Sequence, residues 1–256
     1  MKAEAPITMS GLSVAHPRSP GLPILQAVDW EVAAGDCWVI TGLQGSGKTV
    51  LLETAAGLHP ILAGELRLFG QPCMTDDTPA TDALRRRFGL VFDGAGRLFP
   101  NLTVWENITL PLRYHRNLSL NDATAAVAEI FQVLELEPYA HLLPGRLSRA
   151  WSRRVALARA LALKPEVLLL DNPLAGLDSV HVRWWRALLG SFLSGHPLFG
   201  GVPRTVLIAC DALRPLLPLG RSFALVHNGR WVELGSRQAV LDSTDPFVRD
   251  LLNETD

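Results

Sequence analysis

Residues 37–49, CWVITGLQGSGKT, decide the fold of this chain. The first four residues are apolar and predict a short buried strand. Residues 42–49 then fit the pattern G-x-x-x-x-G-K-[ST], whose glycines let backbone N–H groups converge on phosphate oxygens. A helix is predicted over residues 48–58, and its N-terminus adds partial positive charge at the same point. Strand, glycine loop and helix in this order predict nucleotide binding.

The polar side chains next to this loop predict a site for a nucleotide with Mg²⁺. Lys48 is expected to reach the β- and γ-phosphates, and Thr49 to offer its hydroxyl to Mg²⁺. Asp171 follows the apolar run 167–170, so it lies at the carboxyl end of a buried strand, where open α/β sheets bind ligands. A glycine turn without a ligand and an ordinary strand end are the structural alternatives. The predicted binding residues of this segment are Gly42, Gln44, Gly45, Ser46, Gly47, Lys48, Thr49 and Val50.

Composition restricts the class of protein. The chain has 256 residues, 24 Lys and Arg against 25 Asp and Glu, a formal net charge of −1 and a mean hydropathy of +0.19. The 48% of hydrophobic residues argue against a disordered chain, and the charge balance gives no support to a nucleic-acid binder. The leucine-rich stretches are interrupted by charges, the first ten residues lack an apolar signal region, and the three cysteines lack metal-ligand spacing. We therefore expect a cytoplasmic protein that binds no nucleic acid.

The order of apolar segments predicts an α/β fold. Residues 6–70 are rich in strand patterns, and helical spacing dominates residues 94–147, which predicts a helical insert in a single domain over 1–256. Later strands are predicted at 88–92, 167–170, 205–209, 223–227 and 231–234. Because strands alternate with helices on both sides of the insert, the core sheet is predicted to be mainly parallel. Residues 195–203 are expected to form an exposed loop, and the arginines at 85–87 a solvated turn.

Five segments in a fixed order resemble the ATP-binding subunits of ABC transporters. They are the phosphate loop at 42–49, GLVFD at 89–93, LFPNLTVWEN at 98–107, LSRAWSRRVALARAL at 147–161 and DNPLAGLD at 171–178. The resemblance implies the P-loop NTPase fold of ABC ATPases, with an antiparallel β-subdomain and an α-helical subdomain beside the core. Small-molecule kinases and GTPases do not explain the segment at 147–161, whereas an ABC-type ATPase outside transport stays an alternative.

The resemblance also implies how such a chain works. In this family two subunits enclose two ATP molecules with Mg²⁺ head to tail, each nucleotide lying between the Walker motifs of one chain and the signature of the other. A transmembrane permease docks on the helical insert, which places the subunit on the cytoplasmic face of the inner membrane. Phe99, Leu102, Trp105 and Tyr114 are candidate docking contacts, and ordinary core packing is the equal alternative for each.

Three residues at the family's catalytic positions depart from its pattern. Asn172 stands where a glutamate polarises the attacking water, and an amide cannot accept a proton. Cys210 replaces the switch histidine, and a thiol is a weak donor. Asp93 replaces the Q-loop glutamine, although its carboxylate is also a type of Mg²⁺ ligand. By resemblance the metal ligands are Thr49, Asp93 and Asp171, and the catalytic set is Lys48, Asp93, Asp171, Asn172 and Cys210.

The nucleotide-contacting positions at the signature and at the adenine also differ from the family. Ser148 is kept, while Arg149 and Ala150 replace two glycines that permit close backbone approach to the partner's γ-phosphate. Both side chains are expected to loosen that contact, and a charge supplied by Arg149 to the phosphate is the alternative. His16 stands where the family stacks an aromatic ring on adenine, and it stacks less extensively than tyrosine.

These departures predict an ATP-binding subunit whose homodimer hydrolyses ATP slowly or not at all. Two alternatives stay open: Asp93 or Asp211 compensates and activity is ordinary, or this chain is the regulatory half of a heterodimer with an intact ATPase. Residues 98–115 and 245–252 resemble ATPases of MCE-domain lipid-transport systems in bacterial envelopes. The resemblance adds an MCE-domain substrate-binding protein to the expected partners.

Overall fold

The structure is a computed structural model that describes residues 4–73, 78–94 and 96–253. Both ends of the predicted domain over 1–256, and Ala95 of the predicted insert, lie outside the described residues. The strands are β1 (Ile7–His16), β2 (Ser19–Val32), β3 (Cys37–Thr41), β4 (Ile61–Leu68), β5 (Gln71–Pro72), β6 (Phe88–Val91), β7 (Val167–Asp171), β8 (Thr205–Ala209), β9 (Ser222–His227) and β10 (Arg230–Gly235). The α-helices are α1 (Lys48–Ala55), α2 (Pro79–Arg85), α3 (Val104–Arg116), α4 (Leu120–Val133), α5 (Arg149–Leu161), α6 (Ser179–Ser194), α7 (Arg237–Leu241) and α8 (Pro246–Asn253).

A sheet of ten strands, in the order β5-β4-β1-β2-β10-β9-β3-β8-β7-β6, runs through the described part of the chain. The five strands β9, β3, β8, β7 and β6 pair in parallel, and β1, β2, β4 and β5 pair antiparallel. The expected mainly parallel core beside an antiparallel β-subdomain is thus confirmed. Parallel strands need crossover connections, which explains the helices between them.

The central parallel strands are buried on both faces of the sheet. In β7, Leu168 and Leu170 pack into one hydrophobic core with α5 and α6, while Val167 and Leu169 pack into the other with α1. A strand buried on both faces reads as a continuous apolar run, which is why these strands were visible in the sequence. Since β3, β7 and β8 are parallel neighbours, the segments that follow them meet at one edge of the sheet.

The helical subdomain is built on a capped first turn of α3. The Thr103 hydroxyl accepts the backbone N–H of Glu106 at 3.2 Å, and the Glu106 carboxylate accepts the backbone N–H of Thr103 at 2.7 Å. These hydrogen bonds lower the pKa of Glu106 below its ordinary value. The buried Asn107 amide donates to the carbonyls of Phe99 and Leu102 and folds the preceding turn onto the helix.

Two surface predictions need correction. Residues 195–203 were expected to be an exposed loop, but Leu198 and Phe199 are buried, because the Phe199 ring packs edge-on against Phe192 with centroids 5.1 Å apart. The arginines at 85–87 do not all lie in a solvated turn. Arg87 makes a bidentate ion pair with Glu166 and lies over an aromatic ring of the core.

In the described part of the chain, no helix has both the length and the apolar character that a membrane crossing requires. Both tryptophans of the pair at 184–185 lie on α6, where neighbouring side chains point about 100° apart. Trp185 is fully buried and Trp184 is partly exposed, in keeping with that angle.

Candidate nucleotide-binding site

The loop between β3 and α1 has a backbone that only glycine accommodates at two points. Gly42 has φ +147°, and a Cβ placed on it would lie 2.2 Å from the carbonyl oxygen of Val226. Gly47 has φ +109° and is the N-cap of α1, with no side chain satisfying the first N–H groups of the helix. The loop therefore directs free backbone donors and a helix N-terminus at one point, which is an anion-binding geometry.

Lys48 is held inside this loop. Its Nζ donates to the carbonyl oxygens of Gly42 at 2.6 Å and Leu43 at 2.9 Å, and it lies 2.9 Å from Oδ1 of Asp211. The side chain is only 5% exposed, so the ammonium is nearly desolvated. It is placed to exchange these partners for phosphate oxygens.

Thr49 of α1 and Asp171 at the end of β7, two residues of the predicted metal site, lie in contact. The Thr49 hydroxyl donates to Oδ2 of Asp171 at 2.8 Å, while Oδ1 of Asp171 is buried and has no hydrogen-bond partner among the described residues. A hydroxyl beside a carboxylate oxygen with a free lone pair is a donor set that Mg²⁺ uses together with phosphates and water. The residues present therefore fit the ion.

The electrostatics around Asp171 point the same way. Burial raises the pKa of this carboxyl, and the nearby Asp93 and Asp211 raise it further, against the Thr49 hydrogen bond and the Lys48 charge. The negative charges near this buried carboxyl make it a group that gains from a bound cation.

Asn172, which follows β7, and Asp211, which comes after β8, are joined by two hydrogen bonds. Asn172 has φ +46°, and its Nδ2 donates to Oδ2 of Asp211 at 3.1 Å while its Oδ1 accepts the backbone N–H of Asp211 at 3.0 Å. Cys210 is buried, and burial raises the pKa of its thiol to about 12. Cys210 was predicted at the γ-phosphate, but its backbone N–H still donates to Ile40 in the sheet and its side chain faces the core. Asp211, not Cys210, therefore stands at the cavity.

Asp93 is tied to the signature helix as well as to the cavity. Its Oδ1 is 3.4 Å from Nη2 of Arg153, a buried residue of α5. Arg153 also donates to the carbonyl oxygens of Gly94, Pro173 and Ala175. Burial lowers the pKa of Arg153, as does the Arg149 charge, while Asp93 opposes the shift. One side chain thus connects three segments at the site's edge.

A cavity of about 430 Å³ opens between these groups. Its lining consists of His16, Pro17, Arg18, Ile24, Gln44, Gly45, Gly47, Lys48, Thr49, Val50, Asp93, Asn172 and Asp211. His16, at the end of β1, is the predicted adenine-stacking residue and lies on this lining. Gly42 and Ser46 shape the loop behind it, and Asp171 lies beneath Thr49.

The signature residues lie away from this cavity. Ser148 is the N-cap of α5 and makes no capping hydrogen bond, and Arg149 is exposed. A Cβ on Gly176 would lie 2.9 Å from Nη1 of Arg149, so this side chain folds over the loop after Asn172. Ala150 is buried. None of the three lines the cavity of its own chain.

Sequence reasoning missed two features of the site. Pro17 and Arg18 line the cavity because β1 and β2 are joined by a tight hairpin at these residues, with His16 paired to Ser19. Arg153 was read only as part of a motif, although an arginine in an otherwise buried helical turn signals a satisfied charge.

The family model for the ABC transporter matches residues 25–175. The chain is 33% identical over 229 residues to the probable sulfate/thiosulfate import ATP-binding protein of Chlorella vulgaris, covering 89% of this chain and 92% of that protein. It is 31% identical over 233 residues to the spermidine/putrescine import ATP-binding protein of Thermotoga maritima, covering 91% of this chain and 60% of that protein. The chain thus spans less than two thirds of some of its relatives.

Solved structures agree with the fold. A dimeric bacterial ABC transporter cassette superposes with a TM-score of 0.78 at 26% identity, covering 89% of this chain and 98% of that one. The Clostridium perfringens component cbiO1 of the ABC transporter complex cbiONQ superposes with a TM-score of 0.77 at 19% identity, covering 98% and 96%. The chain therefore belongs to the ABC transporter family, as one of its ATP-binding cassettes, which take ATP with Mg²⁺.

Proposed function

We propose that this chain is the ATP-binding subunit of a membrane transporter and that it hydrolyses ATP slowly. The observation that carries the slow turnover is Asn172, whose amide follows Asp171 and is hydrogen-bonded at both ends to Asp211. An amide carries no charge to polarise water and cannot accept a proton. Because general-base assistance contributes about 10²–10⁴-fold, we expect turnover to fall by roughly that order.

Nucleotide binding itself has all the parts it needs. Lys48 would move from its carbonyl partners to the β- and γ-phosphates, and the first turn of α1 would add its N–H groups. Thr49 and Asp171 would hold Mg²⁺, which neutralises charge on the phosphate oxygens when bound. We therefore expect tight MgATP binding together with slow turnover.

A second cassette completes each site. Ser148 and Arg149 lie at the exposed N-terminus of α5, which has no side-chain cap and no acidic residue in its first turn. Such an N-terminus suits a phosphate supplied by another chain. This supports a head-to-tail dimer, with another copy of this chain or with an intact ATPase for which this chain is the regulatory half.

A groove on the helical subdomain supports the proposal that a permease docks there. It has a volume of about 450 Å³ and is lined by Phe92, Arg97, Phe99, Leu110, Pro111, Tyr114, His115 and Arg159. Phe99 is 49% and Tyr114 76% exposed, and side chains this apolar at an open groove favour a protein partner. Leu102 and Trp105, the other two candidate contacts, are half-buried and outside this lining. A permease seated here places the subunit on the cytoplasmic face of the inner membrane.

The cargo is set by the permease, and we propose a lipid on the resemblance of two segments to MCE-type systems. The segment at 245–252 forms α8, where Val248 and Leu251 are buried, so its part in the resemblance is packing. The segment at 98–115 contains the groove residues, which makes it the informative one. The relatives named above are import proteins for sulfate or polyamines. The identity of the protein that co-purifies with this chain would distinguish a lipid cargo from these two.

The test is to purify the chain with the permease encoded beside it and to measure MgATP binding and steady-state turnover. Binding with turnover well below one per second supports the proposal, and tens per second from the homodimer contradicts it. A second, intact ATPase in the purified complex would assign the regulatory role. An MCE-domain protein would support lipid cargo, and a soluble sulfate- or polyamine-binding protein would oppose it.

A further inference from the structure

We propose that Asp211 supplies the carboxylate that orients the attacking water in this chain, and that the residual hydrolysis depends on it. This inference rests on the proposed function, since it concerns the turnover of the same ATP. Asp211 lies two residues beyond the end of β8, which pairs with β7, the strand that Asn172 directly follows.

The juxtaposition follows from the register of the two strands. Asp171 of β7 pairs with Ala209 of β8, and the backbone N–H of Asn172 donates to the carbonyl of Ala209 at 2.9 Å. The residues just beyond both strand ends are therefore neighbours. Asn172 uses both its amide oxygen and its amide nitrogen on Asp211. The amide, which cannot accept a proton, therefore fixes the position of the Asp211 carboxylate, which can.

The Asp211 carboxylate is held at both oxygens, and its Oδ1 is buried in contact with Lys48. Asn172 donates to Oδ2, Lys48 lies 2.9 Å from Oδ1, and the side chain is 45% exposed on the lining of the cavity. An oriented carboxylate at hydrogen-bond distance from the phosphate-binding lysine is within reach of a water beside the γ-phosphate. The contact with Asn172 does not depend on nucleotide.

The other candidates for this role are less well placed. Asp93 is directed to Arg153 and to the backbone N–H of Gly94. Cys210 is buried, and its pKa of about 12 keeps the thiol neutral. Asp171 is beneath Thr49, where it would be occupied by Mg²⁺. Among the described residues that line the cavity, Asp211 is the carboxylate that contacts both Lys48 and Asn172.

The chemical step balances without any further reactant. When phosphates enter, Lys48 turns to them, and Oδ1 of Asp211 becomes free to accept a hydrogen bond from water. The water oxygen bonds to the γ-phosphorus, and the bond from that phosphorus to the β–γ bridging oxygen breaks, so ADP leaves with the electron pair. One water proton stays on the attacking oxygen and the other ends on an oxygen of the inorganic phosphate. Asp211 is unchanged at the end.

The experiment uses the permease complex with MgATP and the variants Asp211→Asn, Asp211→Glu and Asp211→Asn with Asn172→Glu. Asparagine keeps the shape and the contact with Asn172 but removes the charge. We expect its turnover to fall at least about tenfold, within the range for loss of an acid–base group, while MgATP affinity stays equal or rises because Lys48 is freed. Asp211→Glu should keep more turnover than Asp211→Asn, and the added Asn172→Glu should restore it.

Several results would overturn the inference. One is unchanged turnover in Asp211→Asn, and another is equal turnover in Asp211→Asn and Asp211→Glu. A third is a wild-type turnover no greater than that of Lys48→Ala. If Asp211→Asn binds no MgATP, the comparison of Asp211→Glu with wild type decides, and a glutamate variant that binds but shows no turnover contradicts the role. Failure of the wild type to bind MgATP would instead contradict the proposed function.

Discussion

At the scale of single residues, Asn172 stands at the position of the family's glutamate and exchanges two hydrogen bonds with Asp211, the residue after Cys210. Asn172→Glu adds a carboxylate directly after Asp171. We expect turnover to rise by about 10²-fold, the lower end of general-base assistance, because Asp211 already supplies a carboxylate nearby. Steady-state phosphate release from the permease complex measures this change.

The matched control for that substitution is Asn172→Gln, which lengthens the side chain equally but keeps the amide. It should leave turnover at the wild-type level or below. If Asn172→Glu also changed nothing, position 172 would not be the limiting defect. The altered signature at Arg149 and Ala150 would then account for the slow turnover.

Asp171 gives a second prediction at this scale, on stability. Because burial raises its pKa in the folded chain, the ionised carboxylate costs folding free energy when no Mg²⁺ is present. This cost is absent below the unfolded pKa, appears as the pH rises through the raised folded pKa, and persists above it. Asp171→Asn should therefore raise the urea midpoint of the nucleotide-free chain at pH 8.

The gain from Asp171→Asn should shrink as the pH is lowered toward about 4, the ordinary pKa of aspartate. Urea titrations in a chelating buffer at both pH values measure it. Asp250→Asn, at an exposed position, is the control and should show no such dependence. A stability gain that is equal at both pH values would show that the charge of Asp171 is not its source.

At the scale of elements, Arg153 connects α5 to the segments before and after it through three backbone carbonyls and Asp93. Arg153→Met keeps the apolar stem but leaves buried carbonyls without donors, which costs about 1–3 kcal/mol of unfolding free energy. Arg183→Met, on the exposed face of α6, should change stability by less than about 0.5 kcal/mol. Equal effects in the two variants would contradict the connecting role of Arg153.

The groove beside α3 gives a prediction about assembly. Tyr114 is 76% exposed, so Tyr114→Glu changes the groove without disturbing a core. We expect it to reduce co-purification of the permease at least about tenfold, as loss of a hot-spot aromatic does, and to leave MgATP binding unchanged. Leu62→Glu, an exposed apolar residue of β4, is the control. A groove variant that retains the permease would place the docking surface elsewhere.

The strands that could be predicted from the sequence are those that are buried on both faces along their whole length. Residues 37–40, 167–170 and 205–209 are buried on both faces, so their apolar runs identify them without knowledge of neighbours. The residues just past a strand end are different. Whether position 210 or 211 faces the cavity depends on where the chain leaves the sheet, and Cys210 still donates to Ile40. Local sequence does not contain that information.

At the scale of the whole molecule, the two hydrophobic cores lie on opposite faces of one sheet, and the nucleotide cavity lies at its edge. Walker residues line the cavity, while Ser148 and Arg149 are exposed at the N-terminus of α5 and outside it. The head-to-tail dimer proposed above would bring the N-terminus of α5 against the γ-phosphate held by its partner.

Arg149 is the residue that this closure has to accommodate. Its Nη1 lies where a side chain on Gly176 would be, so it covers the loop that follows Asn172. Replacing Arg149 and Ala150 by glycine removes this cover and lets the backbone approach the phosphate. Each glycine within a helix lowers the free energy of unfolding by about 1 kcal/mol, and by less at the first positions of the helix. We expect α5 to stay folded, because its other side is buried.

We therefore expect the double variant Arg149→Gly with Ala150→Gly to form an ATP-dependent dimer at lower protein concentration than the wild type. Light scattering with chromatography in MgATP, using Asp211→Asn in both chains to slow turnover, measures the monomer–dimer equilibrium. Arg146→Gly, just before α5, is the control for loss of a nearby cation. A weaker dimer in the double variant would mean that Arg149 binds the partner's phosphate through its charge, since only that contact would be lost while the steric barrier was removed.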